Sequence, residues 1–206
     1  MGEVIGMEPV LYIHGKGGSP EEAAHYRPLF PSGEVIGIEY HGDTPEIAGK
    51  EIRDAVAGLA PASGAAILIA NSIGAYFAMN ADIERYLCRA FFISPIVDLE
   101  RLILDRMDAV GVTEPELREK DAVPTPWGEA LSWQALCRAR EQPVRWSVPT
   151  DILYGSGDDL TSIDTIKAFA RHHGARLTVM EHGEHWFHTE EQMRFLDRWI
   201  RDSSDR

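Results

Sequence analysis

Residues 65–74 read Ala-Ala-Ile-Leu-Ile-Ala-Asn-Ser-Ile-Gly. The first six residues form an apolar run typical of a buried strand, and the sequence predicts a helix from Ser72 onward. A sharp strand-to-helix turn pushes the serine at its apex out of the fold, and it requires small residues two positions before and two positions after that serine. Ala70 and Gly74 occupy these positions, Ala70 standing where such turns usually have glycine. The stretch therefore predicts a serine that is presented at the end of a strand.

Strand-like and helix-like segments alternate on both sides of this stretch. Apart from residues 65–70, we predict strands at residues 10–14, 34–40, 87–94, 151–154 and 176–180. Helices are predicted at residues 21–29, 44–59, 72–83, 162–173 and 189–200. Near-continuous apolar strands separated by helices are typical of a parallel sheet that is covered on both faces. We therefore predict an α/β fold with a mostly parallel sheet of about six strands.

One segment interrupts the alternation. Residues 97–148 contain no convincing strand, and we predict helices there at residues 99–110 and near residues 131–140. The segment is too short to form a core of its own, and the whole chain of 206 residues is short for two domains. We interpret residues 97–148 as a helical cap that is inserted into a single domain spanning residues 1–206.

Composition limits the partners and the compartment. The chain has 33 acidic and 20 basic residues, a formal net charge of −13, which would repel nucleic acids and anionic membranes. Its two cysteines provide no disulfide framework and indicate a reducing compartment. Residues 1–9 lack the pattern of a signal peptide, and no apolar run reaches the roughly 20 residues of a membrane-spanning helix. We therefore predict a cytoplasmic protein without a nucleic-acid or membrane partner.

Candidate functional residues follow four of the predicted strands. In a parallel sheet, ligands bind beyond the carboxyl ends of the strands. Besides Ser72, these ends carry the segments His-Gly-Lys-Gly-Gly-Ser at residues 14–19, Gly-Ser-Gly-Asp-Asp at 155–159 and Glu-His-Gly-Glu-His-Trp-Phe-His at 181–188. Together they supply a serine, then an aspartate, then a histidine. Acyl transfer by serine requires such a set, together with N–H donors for the oxygen that becomes negatively charged.

With this Ser…Asp…His order, the turn at Ser72 and the His-Gly loop after the first strand, the chain resembles the α/β-hydrolase superfamily, as a compact serine esterase-like member. The resemblance covers nearly all of the chain except residues 97–148. It implies that Ser72 is the nucleophile, that His185 is the base and that Asp158 is the acid that orients it. It further implies hydrolysis of small to medium carboxylic esters or thioesters through an acyl-serine intermediate, with no cofactor and no metal.

The same resemblance implies an oxyanion hole and a substrate pocket. The backbone N–H groups of Lys16 and Ile73 would form the oxyanion hole. The side chains expected around the substrate are His14, Trp127, Trp133 and Trp186. Tryptophans of the inserted segment could form an apolar roof that excludes water, although for any single one of them packing of the cap onto the domain is the favoured interpretation.

Several residues have competing interpretations. Ser72 is also a favourable N-cap for the helix that begins there. Asp159 competes with Asp158, and His182 and His188 compete with His185. These three clustered histidines also allow a zinc site, although they lack the His-Glu-x-x-His spacing.

The function has alternatives as well. The glycine-rich loop could bind a nucleotide, but Pro20 stands where the dinucleotide motif has its last glycine. On the same triad, the protein could be an acyltransferase or a hydrolase of amide or C–C bonds. It could also be a non-catalytic protein that binds a small ligand on this scaffold.

Overall fold

The computed structural model describes residues 8–60 and 65–204. Most of residues 1–9, for which the sequence predicts no signal peptide, lie outside the described residues. The strands, in chain order, are β1 (Val10–Ile13), β2 (Val35–Gly37), β3 (Ala66–Asn71), β4 (Leu87–Ile93), β5 (Ala122–Pro124), β6 (Ala130–Ser132), β7 (Thr150–Gly155) and β8 (Arg176–Met180). Six of them form one sheet in the order β2-β1-β3-β4-β7-β8, and all neighbours are parallel. The predicted α/β fold with a parallel sheet is confirmed.

Helices cover both faces of this sheet. The α-helices are α1 (Pro45–Leu59), α2 (Ile73–Met79), α3 (Leu99–Val110), α4 (Glu114–Lys120), α5 (Trp133–Glu141), α6 (Ile163–His173) and α7 (Glu190–Ser204). Alternate residues of β1 point to opposite faces: Leu11 and Ile13 belong to the apolar cluster that includes residues of α1, α2 and α6, whereas Val10 and Tyr12 belong to the cluster that includes residues of α7. Within the described ranges, no helix is both long and apolar enough to cross a membrane.

Two predicted helices differ from the observed ones. The segment predicted as one helix over residues 21–29 forms two short 3-10 helices, Pro20–His25 and Arg27–Leu29. A proline at position 28 lacks the N–H that a continuous α-helix needs there. The helix that follows Ser72 ends at Met79, four residues before its predicted end.

The apolar residues of α1 are only partly buried. Helical spacing places Ile47 and Leu59 on the same face as Ile52 and Val56, yet Ile47 and Leu59 are 52% and 44% exposed. The side of α1 that faces the core is narrower and includes small residues, and Gly49 lets the helix approach the end of α2, where an added Cβ atom would lie 3.1 Å from the Asn80 carbonyl oxygen. Its buried residues are Ala48, Gly49, Ile52 and Val56.

The inserted segment contains strands as well as helices. The prediction that residues 97–148 lack strands is wrong, because β5 and β6 pair as an antiparallel hairpin between α4 and α5. Each strand has only three residues, too few to produce a recognisable alternation. The segment also has a small apolar cluster of its own, formed by Ile103, Met107, Leu117, Leu131 and Leu136.

A buried carboxylate lies at the amino end of β7, away from the strand ends that carry the candidate site. Burial alone would raise the pKa of Asp151, but hydrogen bonds from Arg176 and Arg89 outweigh this effect and hold the pKa below its usual value. The two arginines extend from the neighbouring strands β8 and β4. Asp151 therefore connects three strands, and its charge has a structural explanation.

Candidate active site

The turn after β3 holds Ser72 in a conformation that is rare for a residue with a side chain. Its φ and ψ angles are 52° and −125°. Backbone hydrogen bonds fix this conformation: the Ser72 amide donates to the Ile93 carbonyl at 3.0 Å, and the Ser72 carbonyl accepts from Ala75 and Ile96 at 3.1 Å. The strain is therefore maintained by both the neighbouring strand and the following helix, as is common at functional sites.

Small residues on both sides of the serine make this turn possible. Ala70 is fully buried in β3, so its methyl group is accommodated without loss of the turn. Gly74 allows α2 to approach the end of β1, where an added Cβ atom would overlap the His14 carbonyl oxygen. Only the second position therefore requires glycine in this chain.

Gly74→Ala is expected to lower the free energy of unfolding by about 1–3 kcal/mol, because the obstructing atom belongs to the backbone and cannot rotate away. Chemical denaturation measured by circular dichroism tests this expectation. Gly58→Ala is a matched control on the exposed side of α1, where an added Cβ meets no atom within 4 Å. That substitution should stabilise the protein by up to about 1 kcal/mol. Equal effects of the two substitutions would contradict the assigned packing of α2.

Three side chains that are far apart in the sequence form a continuous hydrogen-bonded chain. Ser72 Oγ lies 2.8 Å from His185 Nε2, and His185 Nδ1 lies 2.7 Å from Asp158 Oδ2. Because an ionised carboxylate only accepts hydrogen bonds, this network assigns the imidazole proton to Nδ1 and leaves Nε2 as an acceptor for the Ser72 hydroxyl. The arrangement can remove a proton from the serine.

Asp158 is the aspartate that faces His185. Its side chain is fully buried (0% exposed), and its Oδ1 atom accepts hydrogen bonds from the backbone amides of Leu160 and Thr161 at 2.8 and 3.1 Å. Asp159 is exposed. These two amides fix the direction of the Asp158 carboxylate and therefore the plane of the imidazole.

The other two histidines of residues 181–188 take no part in the hydrogen bonds between Ser72, His185 and Asp158. His188 Nδ1 hydrogen-bonds the Trp186 carbonyl at 2.6 Å, and the ring of His182 is exposed beside Glu181. Among the described residues, no three His, Cys, Asp or Glu side chains converge as metal ligands would.

The loop after β1 lies against the serine. A Cβ atom added to Gly15 would lie 3.0 Å from Ser72 Cβ, so the loop and the turn are in contact. The hydrogen bonds of the described residues do not use the backbone N–H groups of Lys16 and Ile73, which follow Gly15 and Ser72 along the chain. Both donors remain available to a ligand, as an oxyanion hole requires.

Tyr40 supports this loop, and sequence reasoning did not identify it. Its ring stacks on the His14 ring with the centroids 4.3 Å apart, and its hydroxyl donates to the His14 carbonyl at 2.7 Å. Burial raises the pKa of Tyr40, so the hydroxyl remains a donor. Its position just after the second strand, at the same edge of the sheet as residues 14–19, was the signal available in the sequence.

A cavity of about 810 Å³ opens above the serine, between the sheet edge and the inserted segment. Ser72 lines it together with His14 and Trp127, which are two of the four residues that the sequence predicted for the substrate pocket. Further apolar lining comes from Tyr76, Phe77, Ile96, Leu102 and Leu131. The site therefore combines a serine, a base and a largely apolar binding space.

Two of the predicted pocket residues lie elsewhere. Trp133 begins α5 and packs against the small apolar cluster of the inserted segment, on the side of Glu114 and Arg118. Trp186 is 68% exposed and packs on the His188 ring, outside the cavity. The prediction that these two tryptophans line the pocket is wrong, because the orientation of an aromatic ring on a cap or a loop depends on packing that sequence spacing does not encode.

Ion pairs join the inserted segment to the main domain at the cavity. Lys16 contacts Glu129 in the hairpin turn at 2.7 Å, and Arg138 of α5 contacts Glu46 of α1 at 2.6 Å. Lys16 and Glu129 are largely exposed and Arg138 and Glu46 partly so, and each pair contributes roughly 0–1 kcal/mol. They connect residues 97–148 to the rest of the domain without adding much to its stability.

No protein-family model matches the chain, and no curated protein matches it in sequence. Solved structures do match over nearly the whole chain. The ferulic acid-bound Est1E from Butyrivibrio proteoclasticus is 15% identical, with a TM-score of 0.73 over 96% of this chain and 88% of that chain. Alpha/beta hydrolase domain-containing protein 10 from mouse is 18% identical, with a TM-score of 0.69 over 96% and 89%.

A thioesterase domain from the curacin biosynthetic pathway is also similar. It is 16% identical, with a TM-score of 0.59 over 95% of this chain and 91% of that chain. At such low identities, these comparisons show a shared fold, including the layout of the parallel sheet around which the candidate site is built.

Proposed function

We propose that this chain, which has the α/β-hydrolase fold, is a serine hydrolase that cleaves carboxylic esters or thioesters of small to medium size. The observation that carries this proposal is the hydrogen-bonded chain from Ser72 through His185 to Asp158. Its geometry matches what acyl transfer by serine requires: a nucleophile, a base and a carboxylate that holds the base in one tautomer.

The reaction has two steps. His185 Nε2 takes the hydroxyl proton as Ser72 Oγ attacks the carbonyl carbon, and the N–H groups of Lys16 and Ile73 stabilise the oxygen that becomes negative. His185 then gives the proton to the leaving alcohol or thiol, and an acyl-serine remains. A water molecule, deprotonated by His185, attacks this acyl group. The acid is released as the proton returns to Ser72.

The cavity and the structural neighbours support the substrate class. A largely apolar space of about 810 Å³ can hold an acyl or aromatic group beside the serine. Among the similar structures are Est1E with bound ferulic acid and a thioesterase domain. The substrate we propose is accordingly an ester or thioester with an apolar body.

Covalent labelling and an ester series test the proposal. We expect a fluorophosphonate probe to modify the folded protein at Ser72, mapped by peptide mass spectrometry, and p-nitrophenyl esters of increasing acyl length to be hydrolysed with a burst of p-nitrophenol. Heat-unfolded protein is the control and should not be labelled. Binding of the esters without labelling or hydrolysis would contradict the proposal and indicate a non-catalytic binding protein.

A further inference from the structure

One charged side chain lies on the otherwise apolar face of α3 that lines the cavity. α3 lines the cavity with Leu99, Leu102, Ile103 and Arg106, positions that recur at helical spacing. A helix face that borders an apolar cavity is normally apolar throughout, because a half-buried charge loses part of its hydration. The fold alone does not explain an arginine at this position.

Arg106 has an aromatic partner but no anionic one among the residues that the structure describes. Its guanidinium carbon lies 4.4 Å from the centre of the Trp127 ring, and it forms none of the ion pairs or side-chain hydrogen bonds of the described chain. The neighbouring carboxylate of Asp105 is occupied by Arg101 at 2.7 Å. The guanidinium donors of Arg106 are therefore free of protein acceptors within residues 8–60 and 65–204.

The other charges that line the cavity are largely matched. Lys16 and Arg138 also border it, but each is paired with a carboxylate, Glu129 and Glu46 respectively. Asp43 is a further lining carboxylate, and it is exposed. Arg106 is half-buried, so an anion beside it would be less screened by water than one at the rim.

We propose that Arg106 binds a carboxylate of the substrate, located at the end remote from the bond that Ser72 cleaves. This inference rests on the proposed function. A guanidinium matches a carboxylate with two parallel N–H···O bonds, and contact with an indole ring holds its position without using an acceptor. Arg106 carries one positive charge without a protein carboxylate beside it, which matches one carboxylate of a ligand, whereas a phosphate dianion would add a second negative charge to a cavity already lined by Asp43, Glu46 and Glu129. The substrate class is an ester or thioester with an apolar body and a terminal carboxylate.

Paired esters test this specificity directly. Mono-p-nitrophenyl esters of adipate, suberate and sebacate are compared with p-nitrophenyl hexanoate, octanoate and decanoate, which replace the carboxylate by a methyl group. For at least one chain length, the wild-type protein should have the higher kcat/KM for the carboxylate ester. Arg106→Met should reduce the ratio of kcat/KM between the paired esters by roughly ten- to hundredfold, and Arg106→Lys should retain part of it. Arg145→Met, which removes an exposed cation of residues 97–148 outside the cavity, is the control and should leave the ratio within about threefold.

A second measurement separates this inference from the proposed function. Binding of the suberate dianion is measured by calorimetry for Ser72→Ala and for the double variant Ser72→Ala/Arg106→Met. This measurement does not require catalytic activity. Weaker binding by roughly tenfold or more in the double variant supports the carboxylate site even if no ester is hydrolysed. Equal binding by the two variants overturns it, as does a preference for the neutral ester at every chain length. Arg106 then only holds Trp127 in place.

Discussion

Ser72→Ala is expected to lower kcat/KM for ester hydrolysis by roughly a millionfold, because the nucleophile and the acceptor of the acyl group are lost together. Only the oxyanion donors and the binding cavity remain in this variant. Initial rates with p-nitrophenyl esters measure the loss, and the fluorophosphonate probe should no longer label the protein.

The main competing interpretation makes Ser72 a helix cap, and stability measurements distinguish the two. Its side chain forms no capping hydrogen bond in the structure. Ser72→Ala should therefore change the free energy of unfolding little, whereas loss of a real N-cap typically costs about 1 kcal/mol.

Ser162→Ala is the matched control for this comparison. Ser162 Oγ accepts a hydrogen bond from the Thr165 amide at 3.2 Å at the start of α6, as a capping serine does. Ser162→Ala should lose about 1 kcal/mol of stability and retain its activity. A Ser72→Ala variant that stays within tenfold of the wild-type rate, while losing the stability of a cap, would contradict the nucleophile assignment.

The sheet could be predicted because each of its strands carries its own signal. Buried parallel strands are nearly continuous apolar runs, so the segments around Leu11, Leu68 and Phe92 are recognisable without knowledge of the fold. Because these strands are parallel, their carboxyl ends lie at one edge of the sheet. This is why Ser72, Asp158 and His185, which follow three of the strands, could be named together in advance.

The inserted segment could not be predicted to the same extent. Three-residue strands such as β5 carry no periodicity, and they form here because the chain reverses between Thr125 and Glu129 through Gly128, at a φ of 81°. The directions of Trp127, Trp133 and Arg106 depend on how α3, α4 and α5 pack against one another. Such contacts are not recorded in the local sequence pattern.

Asp158→Asn is expected to lower kcat by roughly ten-thousandfold while the fold is retained. Asparagine has nearly the same shape as aspartate, so the change tests the charge and the hydrogen-bonding pattern. Asp159→Asn is the matched control: the side chain is adjacent and exposed, and its substitution should leave kcat within about threefold. Steady-state rates of the two variants on one p-nitrophenyl ester are compared. A similar loss in both variants would contradict the assignment of Asp158.

The reason for the large effect lies in the two amides behind the carboxylate. Leu160 and Thr161 donate to the Oδ1 atom, so the asparagine must place its carbonyl oxygen there and its NH₂ group toward His185 Nδ1. His185 Nδ1 then accepts a hydrogen bond instead of donating one, and the imidazole proton moves to Nε2. An Nε2–H group facing Ser72 Oγ cannot take the serine proton. The backbone amides of Leu160 and Thr161 therefore hold His185 in the inactive tautomer in this variant.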